Sequence, residues 1–119
     1  MRKIKVKGKS YVWVKEEWIF DDMLMEVLDP AERYIWIQML LKANEEGKII
    51  HSCGLGYTLY GLKNHFRTDS QELVLSTLKK CEELGKIICE KSVDKEGVER
   101  YIITIVPIRD ELQKKTSNQ

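Results

Sequence analysis

Three cysteines and two histidines are the side chains in this sequence best suited to hold a metal or to act as nucleophile and base. Their spacing argues against both roles. His51, Cys53, Cys81 and Cys89 lack the paired close spacings of zinc fingers and ribbons, so no metal is expected. Cys81 falls on the apolar face of a predicted helix, where a thiol behaves as a small apolar residue. His51 and His65 have no obvious nucleophile partner, and no carboxylate pair is placed by spacing. Gly54-Leu55-Gly56 lacks the lysine and the spacing of a phosphate loop and reads as a loop before a helix. The expectation is a protein that is not an enzyme, with no cofactor and no small-molecule substrate. An odd cysteine count and no visible secretion signal point to reduced thiols in the cytoplasm. No apolar run approaches membrane-spanning length.

The chemistry that remains is cationic. Residues 1–9, MRKIKVKGK, hold five bases (Arg2, Lys3, Lys5, Lys7 and Lys9) and no acid. The whole chain has 20 basic and 19 acidic residues, so an arm of +5 precedes a body of −4. Such an arm suits a phosphate backbone, where each neutralised phosphate releases counterions whatever the base sequence. The same alternation also describes a solvated edge strand, with Ile4 and Val6 on one side and lysines blunting the other. The sequence divides into the arm at 1–10, one domain at 11–106 and a C-terminal tail at 107–119.

The elements that would position these groups centre on residues 68–88, TDSQELVLSTLKKCEELGKII. Thr68 with Gln71, or Asp69 with Glu72, fits a capping box. Leu73, Val74, Thr77, Leu78, Cys81 and Leu84 share one helical face, and Gly85 supplies a left-handed stop. A shorter helix at 57–66 precedes it across a tight turn. Upstream, Asp29 caps and Pro30 opens a helix over 31–46 that is apolar on nearly every side. Lys48-Ile49-Ile50 is a short strand. Residues 86–89 and 99–106 form a hairpin around a glycine-containing turn. Residues 11–14 are an additional strand, and Asp21-Asp22 caps a short helix to Leu28. Pro107 ends the last strand, and 108–115 adds one or two helical turns. The fold class is α+β: a winged helix-turn-helix with an extra N-terminal strand and a C-terminal extension.

In that fold the exposed face of the 68–84 helix reads a major groove. Gln71 and Ser76 would meet base edges, Leu75 a thymine methyl, and Lys79 a phosphate or guanine. Lys63 and Arg67 precede the helix, and Lys91, Lys95 and Arg100 sit in the wing. Glu72 and Glu83 share the reading face and oppose phosphate, so a solvated mixed-charge face is an equal reading. The two-sided apolar helix offers more apolar surface than one small core needs. Self-association is therefore expected through Tyr11, Trp13, Trp36 and Leu40.

The segments YVWVKEEWIFDD, AERYIWIQMLLKANEEGKII, GYTLYGLKNHF and LSTLKKCEELGKII occur in that order and cover most of residues 11–106. Together they resemble a phage replisome organiser N-terminal domain, the winged-helix module also found at the front of the DnaD replication-initiation proteins. The resemblance implies DNA replication initiation, a homo-oligomer, DNA as a partner, and a helicase or its loader as a second partner. Two features depart from it. That family continues into a C-terminal helical domain whereas this sequence ends at Gln119, and the wing at 91–100 is longer than usual. These leave open a stand-alone adaptor, a protein-interaction scaffold that never touches DNA, and a small transcriptional regulator.

Overall fold

The computed structural model describes residues 2–4 and 12–117, with side chains placed for 14–114. Strand β1 (Arg2–Ile4) pairs antiparallel with β2 (Val12–Val14), Lys3 opposite Trp13. Helix α1 (Glu16–Ile19) follows at once. Helix α2 (Asp22–Val27) is capped by Asp21, whose carboxylate accepts the Leu24 N–H at 3.1 Å. Helix α3 (Pro30–Lys42) begins as its sequence dictates: Asp29 accepts the Glu32 N–H, Glu32 accepts the Asp29 N–H, and Pro30 occupies the first turn. It stops earlier than its periodicity predicts. Ala43 is extended, and the Asn44 side chain accepts the N–H groups of Glu46 and Lys48, turning the chain into β3 (Lys48–Ile49).

Helix α4 (Leu59–His65) is capped by Thr58, and α5 (Gln71–Glu83) by Ser70, whose hydroxyl accepts the Leu73 N–H at 3.0 Å. The predicted capping box at Thr68 or Asp69 does not form. Arg67 takes a left-handed φ of 55°, and Thr68 instead accepts the N–H of Ser70, which moves the helix start two residues on. Gly85 (φ 72°) ends α5 as expected, with the Lys86 N–H donated to the Cys81 carbonyl at 2.9 Å. Strands β4 (Ile87–Val93) and β5 (Glu99–Ile105) form an antiparallel hairpin, and β5 lies between β3 and β4. The one or two turns expected at 108–115 are part of a longer helix. Helix α6 (Val106–Ser117) starts directly from β5 with the proline in its first turn, where no intrahelical donor is needed. Ile108 of α6 packs on the core beside Gly47.

Helix α3 is the centre of this α+β domain. Its Ile35, Trp36, Met39 and Leu40 are buried, because β2 and α1 pack on it as well as α5. That overturns the expectation that Trp36 and Leu40 face a second copy. Trp36 is 0 % exposed and its indole N–H donates to the Trp18 carbonyl at 2.7 Å. The second apolar side of the helix is covered by this chain's own N-terminal segment. Helix α5 contributes Val74, Thr77, Leu78 and Cys81 to the same core, the face its spacing predicts.

Candidate nucleic-acid interface

No acid occurs between Glu46 and Asp69, in a chain with 19 acids. Helix α4 lies inside that stretch. Leu62 and Phe66, four residues apart, are both 0 % exposed and set the phase of the helix. Tyr60, Lys63, Asn64 and Arg67 then recur at helical spacing away from the core. Tyr60 is 61 % exposed, and the Lys63 ammonium sits 4.6 Å from its ring centroid. This is a cation over an aromatic face with most of the ring left to solvent. Arg67 is exposed where the chain turns between α4 and α5.

The loop before α4 is tied to β5. Tyr57 and Tyr101 exchange backbone hydrogen bonds of 2.9 and 2.7 Å. A side chain at Gly56 would lie 2.8 Å from the Tyr101 carbonyl oxygen, so glycine is required there. The Tyr57 ring stacks on His65 at 4.8 Å and meets the tilted ring of His51 at 3.8 Å, and burial pushes its hydroxyl pKa up. Arg100 joins in, donating to the Gly56 carbonyl at 3.1 Å and to the Asp94 carboxylate at 3.3 Å.

Several residues expected to face DNA are thus engaged elsewhere. Arg100 clasps the β4–β5 hairpin to the α4 loop. Lys91 pairs with Glu99 across the hairpin at 3.1 Å. Asp94 accepts the N–H groups of Val98 and Glu96 in the wing turn, and these bonds with Arg100 hold its pKa below the ordinary value. Ser76 is half-buried and donates to Glu32 at 2.8 Å, so it does not present its hydroxyl to a base edge. Gln71, Leu75 and Lys79 on α5 and Lys95 in the β4–β5 turn are exposed. Glu72 and Glu83 are exposed on the same helix as Lys79. Arg2 and Lys3 belong to β1, but their side chains, with that of Trp13 and all of Lys5, Lys7, Lys9 and Tyr11, lie outside the described residues.

Sequence reasoning missed Glu32. It is 2 % exposed, yet it receives the Lys80 ammonium at 2.7 Å, the Ser76 hydroxyl and the Asp29 N–H. Burial pushes its carboxyl pKa up, but the bonds from Lys80, Asp29 and Ser76 outweigh that and hold it below the ordinary value. The Asp-Pro-Ala-Glu spacing signals its capping role. Nothing local signals partners 44 and 48 residues away. Sequence reasoning also missed Tyr60, although an acid-free helix with an aromatic beside a lysine was visible.

No family model, curated protein or solved structure matches this chain. Charge and geometry then sort the surface. Among the described residues, no group of three or more His, Cys, Asp or Glu is arranged to hold a metal. Cys81 is buried and its thiol is pushed up to about 12. Cys89 is pushed up to about 11 by burial and by Glu82 and Glu90, so neither is a ready thiolate. No helix is long and apolar enough to cross a membrane among the described residues. What stands open to solvent is a basic, aromatic α4 face beside a mixed-charge α5 face.

Proposed function

We infer that this chain is a winged helix-turn-helix protein that binds nucleic acid with little sequence preference. Its role is that of a non-enzymatic, self-associating adaptor in DNA replication initiation, of the phage replisome-organiser kind. The observation that carries the reading is the acid-free stretch at 47–68, with Tyr60, Lys63 and Arg67 presented outward on α4 and its turn. The element order supports the fold: α3, β3, the α4–α5 pair, then a hairpin whose second strand runs between β3 and β4. The basic arm adds five charges from the same chain.

Contact with phosphate is assigned to α4, the Arg67 turn, Lys79, Lys95 and the arm. Base reading by α5 is a minor part, because Glu72 and Glu83 flank Lys79 and Ser76 is occupied by Glu32. That weighs against a transcriptional regulator. Self-association is assigned to the β1–β2 ribbon, whose outer edges pair with no strand among the described residues. Replication partners rest on the resemblance, and a helicase or its loader is the one to assay.

Salt titration of the full chain on random duplex and on single-stranded DNA tests the reading. Binding at low salt with a steep logarithmic slope on both is expected. Replacing Lys5, Lys7 and Lys9 by glutamine should flatten the duplex slope by about 3 units, at about 0.9 per phosphate contact. A two-fold symmetric footprint on one sequence would favour the regulator. The scaffold reading gains from the pairing of Lys91 and Arg100 within the wing, and it takes first place if neither DNA binds at low salt.

A further inference from the structure

An open cleft of about 750 Å³ lies between the α1–α2 corner and the start of α6. Trp18, Phe20, Met23, Val106 and Pro107 supply its apolar lining. Phe20 is 56 % exposed and Met23 49 % exposed. Scattered exposed apolar side chains are ordinary, but two large ones at the mouth of one cleft form a patch. The chain puts them there for a local reason. Leu24 and Leu28 point into the core and fix the rotation of α2, which leaves Met23 and Val27, four residues apart, on its outer side. Phe20 stands at the end of α1, where the short helix has no buried residue to hold it inward.

The charge around this lining is mostly negative. Glu17, Asp21, Asp22 and Asp110 border the cleft against a single base, Lys86. Lys86 is already held by Asp21 at 2.7 Å. Glu17 pairs with Lys15 at 3.7 Å and Asp110 accepts a hydrogen bond from Arg109 at 3.3 Å, while Asp22 has no ion pair among the described residues. A phosphate-bearing ligand is repelled here. A small molecule gains little, because the cleft is open and Phe20 and Met23 in its lining are about half exposed. The complementary surface is an apolar side chain or two flanked by lysine or arginine.

We propose that this cleft docks a short basic, amphipathic segment of another protein. Its apolar side chains cover Phe20, Met23 and Trp18, and its cations meet Asp22, Asp110 and Glu17. The site shares no residue with the α4 face and stands whether or not the chain binds nucleic acid.

The probe is a labelled synthetic peptide with leucines along one helical face and lysines along the other, followed by fluorescence anisotropy with the full chain. Binding should shift the indole resonance of Trp18 and leave that of buried Trp36 in place. Phe20→Ser should weaken binding about tenfold, as expected for an apolar anchor at an interface centre. Asp22→Lys with Asp110→Lys should weaken it by at least about tenfold and remove most of its salt dependence. Both positions are at the surface, so unfolding transitions should be unchanged; Met23→Ser repeats the anchor test if Phe20→Ser fails to fold. The proposal is overturned if a serine-for-leucine peptide binds equally well, since that is charge attraction alone. It is overturned too if Phe20→Ser leaves affinity intact. If the wild type is a dimer that Phe20→Ser dissociates and no peptide binds, the occupant is a second copy and the proposal also fails.

Discussion

Helices α4 and α5 are neighbours across a tight turn, yet their outward faces differ in kind. Helix α4 presents an aromatic ring, a lysine, an asparagine and the following arginine, with no acid in its stretch of sequence. Helix α5 presents Lys79 among Glu72, Leu75 and Glu83, and its Ser76 and Lys80 reach back to Glu32. Helix α4 buries Leu62 and, at its end, Phe66, with Leu59 half-buried on the core and His65 stacked on Tyr57, and turns Tyr60, Asn64 and Arg67 to solvent. The other is held from both flanks, by its apolar face and by a buried carboxylate. The difference teaches that the helix expected to read DNA is the more structural of the pair, and that the short helix before it carries the outward face without acids.

The largest test of that contrast is stability. Leu78→Ala on α5 should cost about 2–5 kcal/mol in chemical denaturation, the range for a buried leucine, whereas exposed Leu75→Ala should stay within about 0.5 kcal/mol. A small loss at Leu78 would mean that α5 is not anchored through this face.

Next comes the buried carboxylate. Glu32→Gln should cost about 1.5–3 kcal/mol near neutral pH, the worth of hydrogen bonds to a charged group. Lys80 is 36 % exposed and can return to water, so the larger penalties of a fully buried pair do not apply. The Glu32 carboxyl is held below its ordinary value of 4.5 in the fold. Its contribution is therefore present above that value and lost as pH falls through the lower folded one. Wild type and variant should converge in stability on acidification; a constant gap would assign the loss to packing.

Binding gives smaller effects that separate the two outward faces. Lys63→Gln with Arg67→Gln should lower the logarithmic salt slope on duplex DNA by about 2 units, with the fold unchanged. Tyr60→Ala should weaken single-stranded binding more than duplex binding, because a base can stack on an open ring only when unpaired. Tyr60→Phe should restore it. The smallest change is Lys79→Gln, with a slope reduction of about 0.9 or less. If Lys79→Gln exceeds the α4 pair or alters sequence preference, α5 reads DNA after all.

Much of this was legible in the sequence. Apolar spacing placed the inward face of α5 on Val74, Thr77, Leu78 and Cys81, and the glycine at 85 ended the helix where a left-handed residue was needed. Asp29 and Pro30 marked the start of α3, and the hairpin followed from its β-rich strands around a polar turn. These are short-range effects: periodicity, capping and turn chemistry act within a few residues and leave their mark in composition. The arm's charge and the acid-free stretch are equally local. Only the tertiary structure decided which groups remained available. The all-round apolar pattern of α3 could not tell a second copy from the chain's own N-terminal segment, and packing gave Trp36 to Trp18 rather than to an interface. Ser76 and Lys80 met Glu32, and Arg100 met Gly56, across more than forty residues of chain. Such pairings depend on how elements approach one another in space. Burial, rather than residue type, settled which polar groups serve the fold and which stand open to solvent.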